Sequence, residues 1–344
     1  MNSRLRLVLP HVLLGGGETA MMEVAEALRG ELDVSVRALD YGPPLPGLTV
    51  REELAARFAD AGLLRHRWEI APALRDADVV LWYGLTPAIP RALAELADRP
   101  ASVRVVHTHR PEEVSFHRRW RREIDETVCV SPAVQRQIPG SVFIPNPMPE
   151  GGLTGARQDF FPGSARPVLG WLGRFAALKN VDWLVAHAGD LGCDLLVQGI
   201  DTEEIRRQDL ERLAVEKGTA GRVRFLDPDR DVGTLLRSVD ALVIASRHEG
   251  FPMVLIEAGR LGVPVIATRV GALPELFADE VLFVDGAGER PGLESMRRAV
   301  AALAPEWGER LRVRVAELCG RERVAGLYKE VVRQAALRVR VRAR

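Results

Sequence analysis

The stretch Ser246-Arg247-His248-Glu249-Gly250-Phe251-Pro252-Met253-Val254-Leu255-Ile256-Glu257-Ala258-Gly259 (SRHEGFPMVLIEAG) sets two glutamates eight positions apart around an apolar run. Just upstream lies Ala241–Ile244, a short aliphatic run that reads as a buried strand. Residues 246–251 then form a loop, and Pro252 suits the first turn of a helix, where its missing N–H leaves nothing unsatisfied. Glu249 therefore stands in the loop at the strand's carboxyl end, and Glu257 a little over one turn into the helix. They flank a helix start whose free N–H groups can hold an anion. The spacing leaves two readings open. In one, a phosphate sits on the helix start and the carboxylates accept hydroxyls at either end of a nucleotide sugar. In the other, Glu257 complements the helix dipole and Glu249 is a loop charge.

Outward from this stretch the chain alternates. Second-half strands are expected at Pro167–Leu172, Asp194–Gln198, Val223–Leu226, Ala241–Ile244, Val263–Ala267 and Val281–Val284, with helices between them. First-half strands are expected at Leu5–Leu9, Val34–Leu39, Val79–Trp82, Val103–Val106, Thr127–Val130 and Val142–Ile144. Amphipathic helices fall at Glu18–Leu28, Pro87–Ala97 and Glu112–Arg122. Such alternation builds parallel sheets with helices on both faces. It pauses once, from Pro145 to Pro167 (PNPMPEGGLTGARQDFFPGSARP), where Pro and Gly prevent long regular structure. The chain thus reads as α/β, two doubly wound Rossmann-like domains over 1–155 and 156–344, with the last helix crossing back to the first domain. Ligands of such sheets bind at the carboxyl ends of the strands, so two facing sheets imply a ligand in a central cleft.

Composition narrows the class. The 344 residues carry 47 basic and 47 acidic side chains, without the excess that nucleic-acid binding calls for. Hydrophobic residues make up 47 %, enough for a core in each half. Cys129, Cys193 and Cys319 are odd in number, widely spaced and outside any metal-ligand pattern, and read as free thiols in a reducing compartment. The first residues lack a signal-peptide pattern, and no apolar run is long enough to span a bilayer. A cytoplasmic protein without an integral membrane segment is the expectation. Only Lys179, Lys217 and Lys329 are lysines, an arginine bias that points to a GC-rich genome.

Directly after the strand at Pro167–Leu172 comes GRFAALKN, Gly173 to Asn180, which puts Arg174 and Lys179 in a loop that leads into a helix. Two cations beside helix N-termini make a diphosphate site; alone, they are ordinary surface charges. Together with Glu249 and Glu257 the set resembles the retaining glycosyltransferases of family 4, which have the GT-B fold. The resemblance lies in EGFPMVLIEA, in GVPVIATRVGALPE at 262–275, in GRFAALKN, and in VCVSPAVQRQI followed by FIPNPM. It spans nearly the whole chain and is densest from 170 to 285. It implies that Arg174 and Lys179, beside Gly173, neutralise a diphosphate and that Glu257 binds ribose hydroxyls. Glu249, with the backbone N–H groups of Gly250, Phe251, Met253 and Val254, would hold the donor sugar and the phosphates.

In the first half, LLGGGETAMMEVAEAL places Gly15, Gly16 and Gly17 between the first strand and a helix starting near Glu18. Glycines there allow close backbone approach to a ligand. The pattern is not G-x-G-x-x-G, so it is not read as a dinucleotide site. The resemblance casts Gly16 and Gly17 as donor contacts. VVHTHRPEE sets His107 and His109 at the end of the strand Val103–Val106, pointing the same way by period-two alternation. The resemblance assigns His109 to the donor sugar and the developing oxocarbenium ion. A structural histidine is the other reading, above all for His107.

Three segments stand apart. RFLDPDRD carries Asp227 where the family often has a glycine in the loop beside the nucleobase. Asp227-Pro228-Asp229 also imitates a D-x-D metal motif, yet Arg174 and Lys179 already oppose the diphosphate charge, so no metal and no cofactor are expected. HRRWRRE at 117–123 reads as a solvated basic helix face with a semi-buried Trp120, peripheral membrane contact being the alternative. RQAALRVRVRAR at the end reads as a solvated tail. The expected activity is retaining, metal-independent transfer of a sugar from a nucleoside diphosphate sugar, UDP favoured, to a hydroxyl of a small-molecule or glycan acceptor. A nucleotide-sugar epimerase and a non-catalytic nucleotide-sugar binding protein are the rivals. Antibiotic biosynthesis, in an orthosomycin-type tailoring role, is one setting that the resemblance suggests.

Overall fold

The computed structural model describes residues 3–12, 15–40, 54, 56–108, 110–151, 153–228, 230–286 and 290–342. Among these, 3–147 with 319–342 form one unit and 148–318 the other.

The first unit is built on β1 (Arg4–Leu9), β2 (Asp33–Leu39), β3 (Gly62–Leu64), β4 (Val79–Tyr83), β5 (Ala101–Val106), β6 (Glu126–Cys129) and β7 (Val142–Phe143). The strands lie in the order β3-β2-β1-β4-β5-β6-β7 and all pair in parallel. Helices α1 (Gly16–Leu28), α2 (Ile70–Arg75), α3 (Ala88–Ala94), α4 (Pro111–Arg119) and α5 (Pro132–Gln137) connect them. Strand β5 is buried at every position, as a strand covered on both faces must be. It nevertheless carries Arg104, fully buried and ion-paired with Glu113 of α4. Burying that guanidinium is sustained by the carboxylate and by the rings of Trp82 and Phe116, 5.7 and 4.8 Å away.

The second unit is built on β8 (Val168–Arg174), β9 (Asp194–Ile200), β10 (Val223–Leu226), β11 (Ala241–Ile244), β12 (Val265–Thr268) and β13 (Leu282–Val284), in the parallel order β10-β9-β8-β11-β12-β13. Its helices are α6 (Val181–His187), α7 (Arg207–Glu216), α8 (Val232–Arg237), α9 (Met253–Arg260), α10 (Leu273–Leu276), α11 (Leu293–Ala301) and α12 (Pro305–Cys319). Leu169, Trp171, Phe175, Leu184, Leu195 and Val243 lie in its core, drawn from facing strand and helix positions. In each sheet the winding reverses once, between β1 and β4 and between β8 and β11. Such reversal points open a crevice at the carboxyl ends of the strands.

Four differences from the sequence reading have local causes. Strand β3 was not expected, because three residues (GLL) are too few to show alternation. Helices α3 and α4 end several residues before Ala97 and Arg122. The division falls after Pro147 rather than after residue 155, because the linker is bonded to the second unit. There Asp231 takes N–H groups of Thr154 and Gly155 at 3.3 and 3.0 Å, and Arg260 donates to the carbonyls of Pro149 and Gly151 at 2.8 and 3.0 Å. The arginine-rich end is helical as far as residue 342. It continues helix α13 (Arg321–Arg342), which packs on α1 and β5 and sets Arg338 2.9 Å from Glu126.

The three cysteines are buried and form no disulfide among the described residues. Burial pushes the Cys129 thiol up to about 11 and the Cys193 thiol up to about 12. Among the described residues, no helix is long and apolar enough to cross a membrane.

Candidate functional site

Two loops meet at the reversal point of the second sheet: residues 174–180 after β8 and 245–252 after β11. Arg174 is the last residue of β8 and is exposed, without an ion pair among the described residues. The loop then makes a short 3-10 turn, Ala177–Lys179, and enters α6 through Asn180. Asn180 is the one described non-glycine residue with positive φ, at 53°. Asparagine tolerates this left-handed geometry better than most residues, which gives the Lys-Asn dipeptide its meaning as a turn into a helix.

Asn180 is 1 % exposed and joins the loops. Its Nδ2 donates to the Ala245 carbonyl at 2.8 Å, and its Oδ1 accepts from Arg247 Nε at 3.4 Å. Alongside, the Arg247 N–H donates to the Leu178 carbonyl at 2.8 Å. With the loops locked in this way, Lys179 Nζ lies 2.5 Å from Glu249 Oε1. Ser246 Oγ donates to the same oxygen at 2.6 Å. Glu249 Oε2 is left without a partner among the described residues. The carboxylate side chain is 11 % exposed and the lysine side chain 24 %, so the pair is neither a core bridge nor a free surface contact.

The residues after β12 back this loop. Thr268 Oγ1 donates to the Ser246 carbonyl at 2.6 Å, and the Ala272 N–H donates to the Gly250 carbonyl at 2.8 Å. Gly271, at φ +58°, lies so close that an added Cβ would come within 2.4 Å of the Gly250 carbonyl oxygen and 2.5 Å of that of Glu249. Any side chain there must displace the glutamate's own backbone. Helix α9 begins at Met253, with Pro252 as the residue before its first turn rather than within it. The N–H groups of Met253 and Val254 therefore fall in the first turn, where α-helical donors have no partner in the helix. Phe251 is buried against Phe277 at 5.7 Å between rings, which fixes the approach to the helix. Glu257 stands half-buried in α9.

Arg174, Lys179, Glu249, Gly250, Phe251, Met253, Val254 and Glu257 thus lie on the segments that flank this reversal point, with Gly173 in β8 itself. Sequence reading missed Asn180, Ser246, Arg247, Thr268 and Gly271, which hold the charged groups. The Lys-Asn turn and the glycine of GVPVIATRVGALPE were the available signals.

The first sheet's reversal point is different. Helix α1 starts at Gly16, so Gly16 and Gly17 occupy its first turn instead of a loop before Glu18. The cause is Glu18, which is 4 % exposed and accepts the Tyr83 hydroxyl from the end of β4, while Gly17 fits beneath the Tyr83 ring. His11 Nδ1 lies 3.2 Å from the same carboxylate. His107 packs edge-on against Tyr83 at 5.1 Å, and burial pushes its imidazole down to about 4. His109 lies outside the described residues, as does Asp229. Asp227 is exposed and sits 3.4 Å from Arg207. Among the described residues no group of three or more His, Cys, Asp or Glu side chains could hold a metal ion.

Comparison with known proteins shows what this chain is similar to. Residues 166–304 match the model of the family "Glycosyl transferases group 1". The D-inositol 3-phosphate glycosyltransferase of Mycobacteroides abscessus is 34 % identical over 174 residues, 46 % of this chain and 37 % of that protein. That of Mycolicibacterium smegmatis is 34 % identical over 180 residues, 50 % of this chain and 39 % of that protein. The chain thus covers only 37 % and 39 % of the length of these curated relatives. Among solved structures, Anabaena Alr3699/HepE, in complex with UDP, aligns with a TM-score of 0.75 at 14 % identity, over 96 % of this chain and 99 % of its own. AviGT4, a glycosyltransferase involved in avilamycin A biosynthesis, aligns with a TM-score of 0.65 at 20 % identity, over 97 % and 98 %. Residues 166–304 of the second unit are thus similar to the glycosyl transferases group 1 family, in a chain with the two Rossmann-like sheets of the GT-B fold.

Proposed function

We propose that the protein moves a sugar from a nucleoside diphosphate sugar, UDP favoured, to a hydroxyl of a small-molecule or glycan acceptor, with retention and without a metal. The observation that carries this reading is the Lys179–Glu249 pair at 2.5 Å on the reversal point of the second sheet, with Arg174 at the end of β8 and the start of α9 beside it. The Lys179 ammonium and the Arg174 guanidinium oppose the charge that grows on the leaving diphosphate. The first-turn N–H groups of Met253 and Val254 add donors that need no reorganisation. Glu249 keeps Oε2 for a hydroxyl of the donor sugar, and Glu257 takes the ribose hydroxyls. In this reading substitution proceeds on the face that the leaving group departs from, and the diphosphate takes the acceptor's proton.

Several likenesses support the reading. The second unit matches a transferase family, and the curated relatives act as D-inositol 3-phosphate glycosyltransferases. HepE is solved with UDP and with UDP-glucose, which favours UDP here. The AviGT4 likeness agrees with antibiotic tailoring as one setting, and the three buried thiols suit the cytoplasm. Thermal shift with UDP, GDP, ADP and TDP tests the donor. A nucleotide at about 100 times its Kd stabilises by ~2.7 kcal/mol, so the matching one raises Tm by several degrees. No shift with any of the four overturns the reading. Donor supplied alone separates the rivals: an epimerase converts the sugar, a binding protein leaves it intact, and a transferase releases it only slowly by hydrolysis.

A further inference from the structure

Resting on the transferase reading above, we infer that the first unit carries a subsite for one acidic sugar ring of the acceptor, in a cavity between α2 and α3. The cavity has a volume of about 230 Å³. Whole drug-sized ligands occupy about 300–1,000 Å³, so this one suits a single ring of a larger molecule. Its floor is apolar. Ile70, the first residue of α2, and Ala92 of α3 both belong to the core beneath it. Its walls are polar. Arg67 comes from the 3-10 turn before α2, Thr86 from the segment that leaves β4, and Arg91 and Glu95 from α3 and its end. A sugar ring is built to match, with C–H groups for an apolar floor and hydroxyls around its edge for a few convergent polar groups.

The charges point to an acidic ring. Arg67 and Arg91 bring two guanidiniums to one carboxylate, that of Glu95. Arg91 and Glu95 stand four positions apart on α3, the spacing at which helical side chains pair, yet no ion pair joins them among the described residues. Arginine precedes glutamate here, which is the weaker order for such a pair. The planar fork of Arg91 can therefore grip a carboxylate or a phosphate at two points, and Glu95 can accept sugar hydroxyls.

The turn that supplies Arg67 is shaped before any ligand arrives. The Glu69 carboxylate accepts the N–H groups of Arg65 and His66 at 2.7 and 2.9 Å, which closes the turn on itself. The rings of His66 and Trp68 stack at 4.1 Å, 8° from parallel, and hold the residues on either side of Arg67 together. Less ordering is then needed when Arg67 meets an anion. Thr86 stands just past Tyr83, the last residue of β4, so the cavity lies toward the carboxyl edge of the first sheet, where ligands of such sheets bind. That position makes the ring part of the acceptor rather than a separate effector.

Binding of methyl glucuronide, glucose 6-phosphate, methyl glucoside and inorganic phosphate to the full chain, read by ligand-observed NMR, tests this. One of the two acidic sugars should bind at least about tenfold more tightly than methyl glucoside and than inorganic phosphate, and the winner tells whether a carboxylate or a phosphate is recognised. Arg91→Gln should remove that advantage, and Arg67→Gln most of it. Both variants should leave methyl glucoside and UDP within about twofold of wild type. Equal binding of methyl glucoside overturns the charge recognition, and equal binding of inorganic phosphate overturns the sugar. An advantage that survives in both variants places the site elsewhere and overturns the inference. A wild-type chain that binds none of UDP, GDP, ADP and TDP overturns the transferase reading, and the ring is then no acceptor. A chain that binds a nucleotide but none of the sugars overturns this inference alone.

Discussion

The two sheets share a winding but not a chemistry at the point where it reverses. In the second unit the reversal point carries Arg174, Lys179 and the start of α9, with one carboxylate held by lysine and serine. In the first it carries Glu18, bonded by Tyr83 and near His11, with the neutral imidazole of His107 beside them. Topology provides a crevice twice, and side chains decide what each accepts. In the proposed reading an anionic diphosphate suits the cations of the second, whereas the first presents the carboxylate of Glu18.

The largest way to break this contrast is to remove the cation. Lys179→Ala takes away an electrostatic group that acts on the leaving diphosphate and also strips Glu249 of its partner. A loss of 10²–10³ in turnover, about 3–4 kcal/mol, is expected in donor-consumption assays, with a smaller loss for the more exposed Arg174→Ala. Glu18→Gln serves as the counterpart and should leave UDP affinity, read by titration, within about twofold of wild type. Full activity in Lys179→Ala, or loss of UDP binding in Glu18→Gln, would erase the proposed division of labour.

The legible part of the molecule is explained by the same physics. Twelve strands were readable because buried parallel strands are continuous aliphatic runs between Gly- and Pro-rich breaks. The charged groups of the site were readable because EGFPMVLIEA and GRFAALKN follow such runs directly. What stayed hidden depends on contacts between distant residues. Asn180 reaches Ala245, Thr268 reaches Ser246, and Gly271 touches Glu249, and no local pattern announces any of these. Glu18 was hidden for a related reason. Its partner Tyr83 lies 65 positions away, and that bond makes a helix start out of what reads as a glycine loop.

A prediction of middle size sharpens the description of the first crevice. The His107 imidazole ordinarily titrates near 6.5, and burial holds it at about 4. Below pH 6.5 the unfolded chain binds a proton that the folded chain refuses, so stability is full above 6.5, falls as pH drops toward 4, and levels off below that. At 1.36 kcal/mol per unit, the loss between pH 7 and pH 4.5 is about 1–3 kcal/mol. His117, also at about 4 but more exposed, adds a smaller loss of the same sign. In His107→Phe, which keeps a ring against Tyr83, the urea midpoint should fall less between these pH values than in wild type. An equal fall in both chains would show that His107 is not desolvated as described.

The smallest effect is expected at Asp227, and its size separates a metal site from a surface charge. A carboxylate that holds a divalent cation on a diphosphate loses most of its function when removed, and chelation mimics the removal. Here the side chain of Asp227 is 73 % exposed, and its described partner is Arg207 at 3.4 Å, a contact of the kind that contributes about 0–1 kcal/mol. In the proposed reading, the positive charge that a metal would bring to the diphosphate is supplied by Lys179 and Arg174. Asp227→Ala should therefore shift Tm by no more than about 2 °C and leave UDP affinity within about twofold, the same with EDTA as with added magnesium or manganese. If UDP binding instead collapses in the variant, and collapses equally in wild type on chelation, the diphosphate is held through a metal, and the cation-bearing crevice is not sufficient on its own.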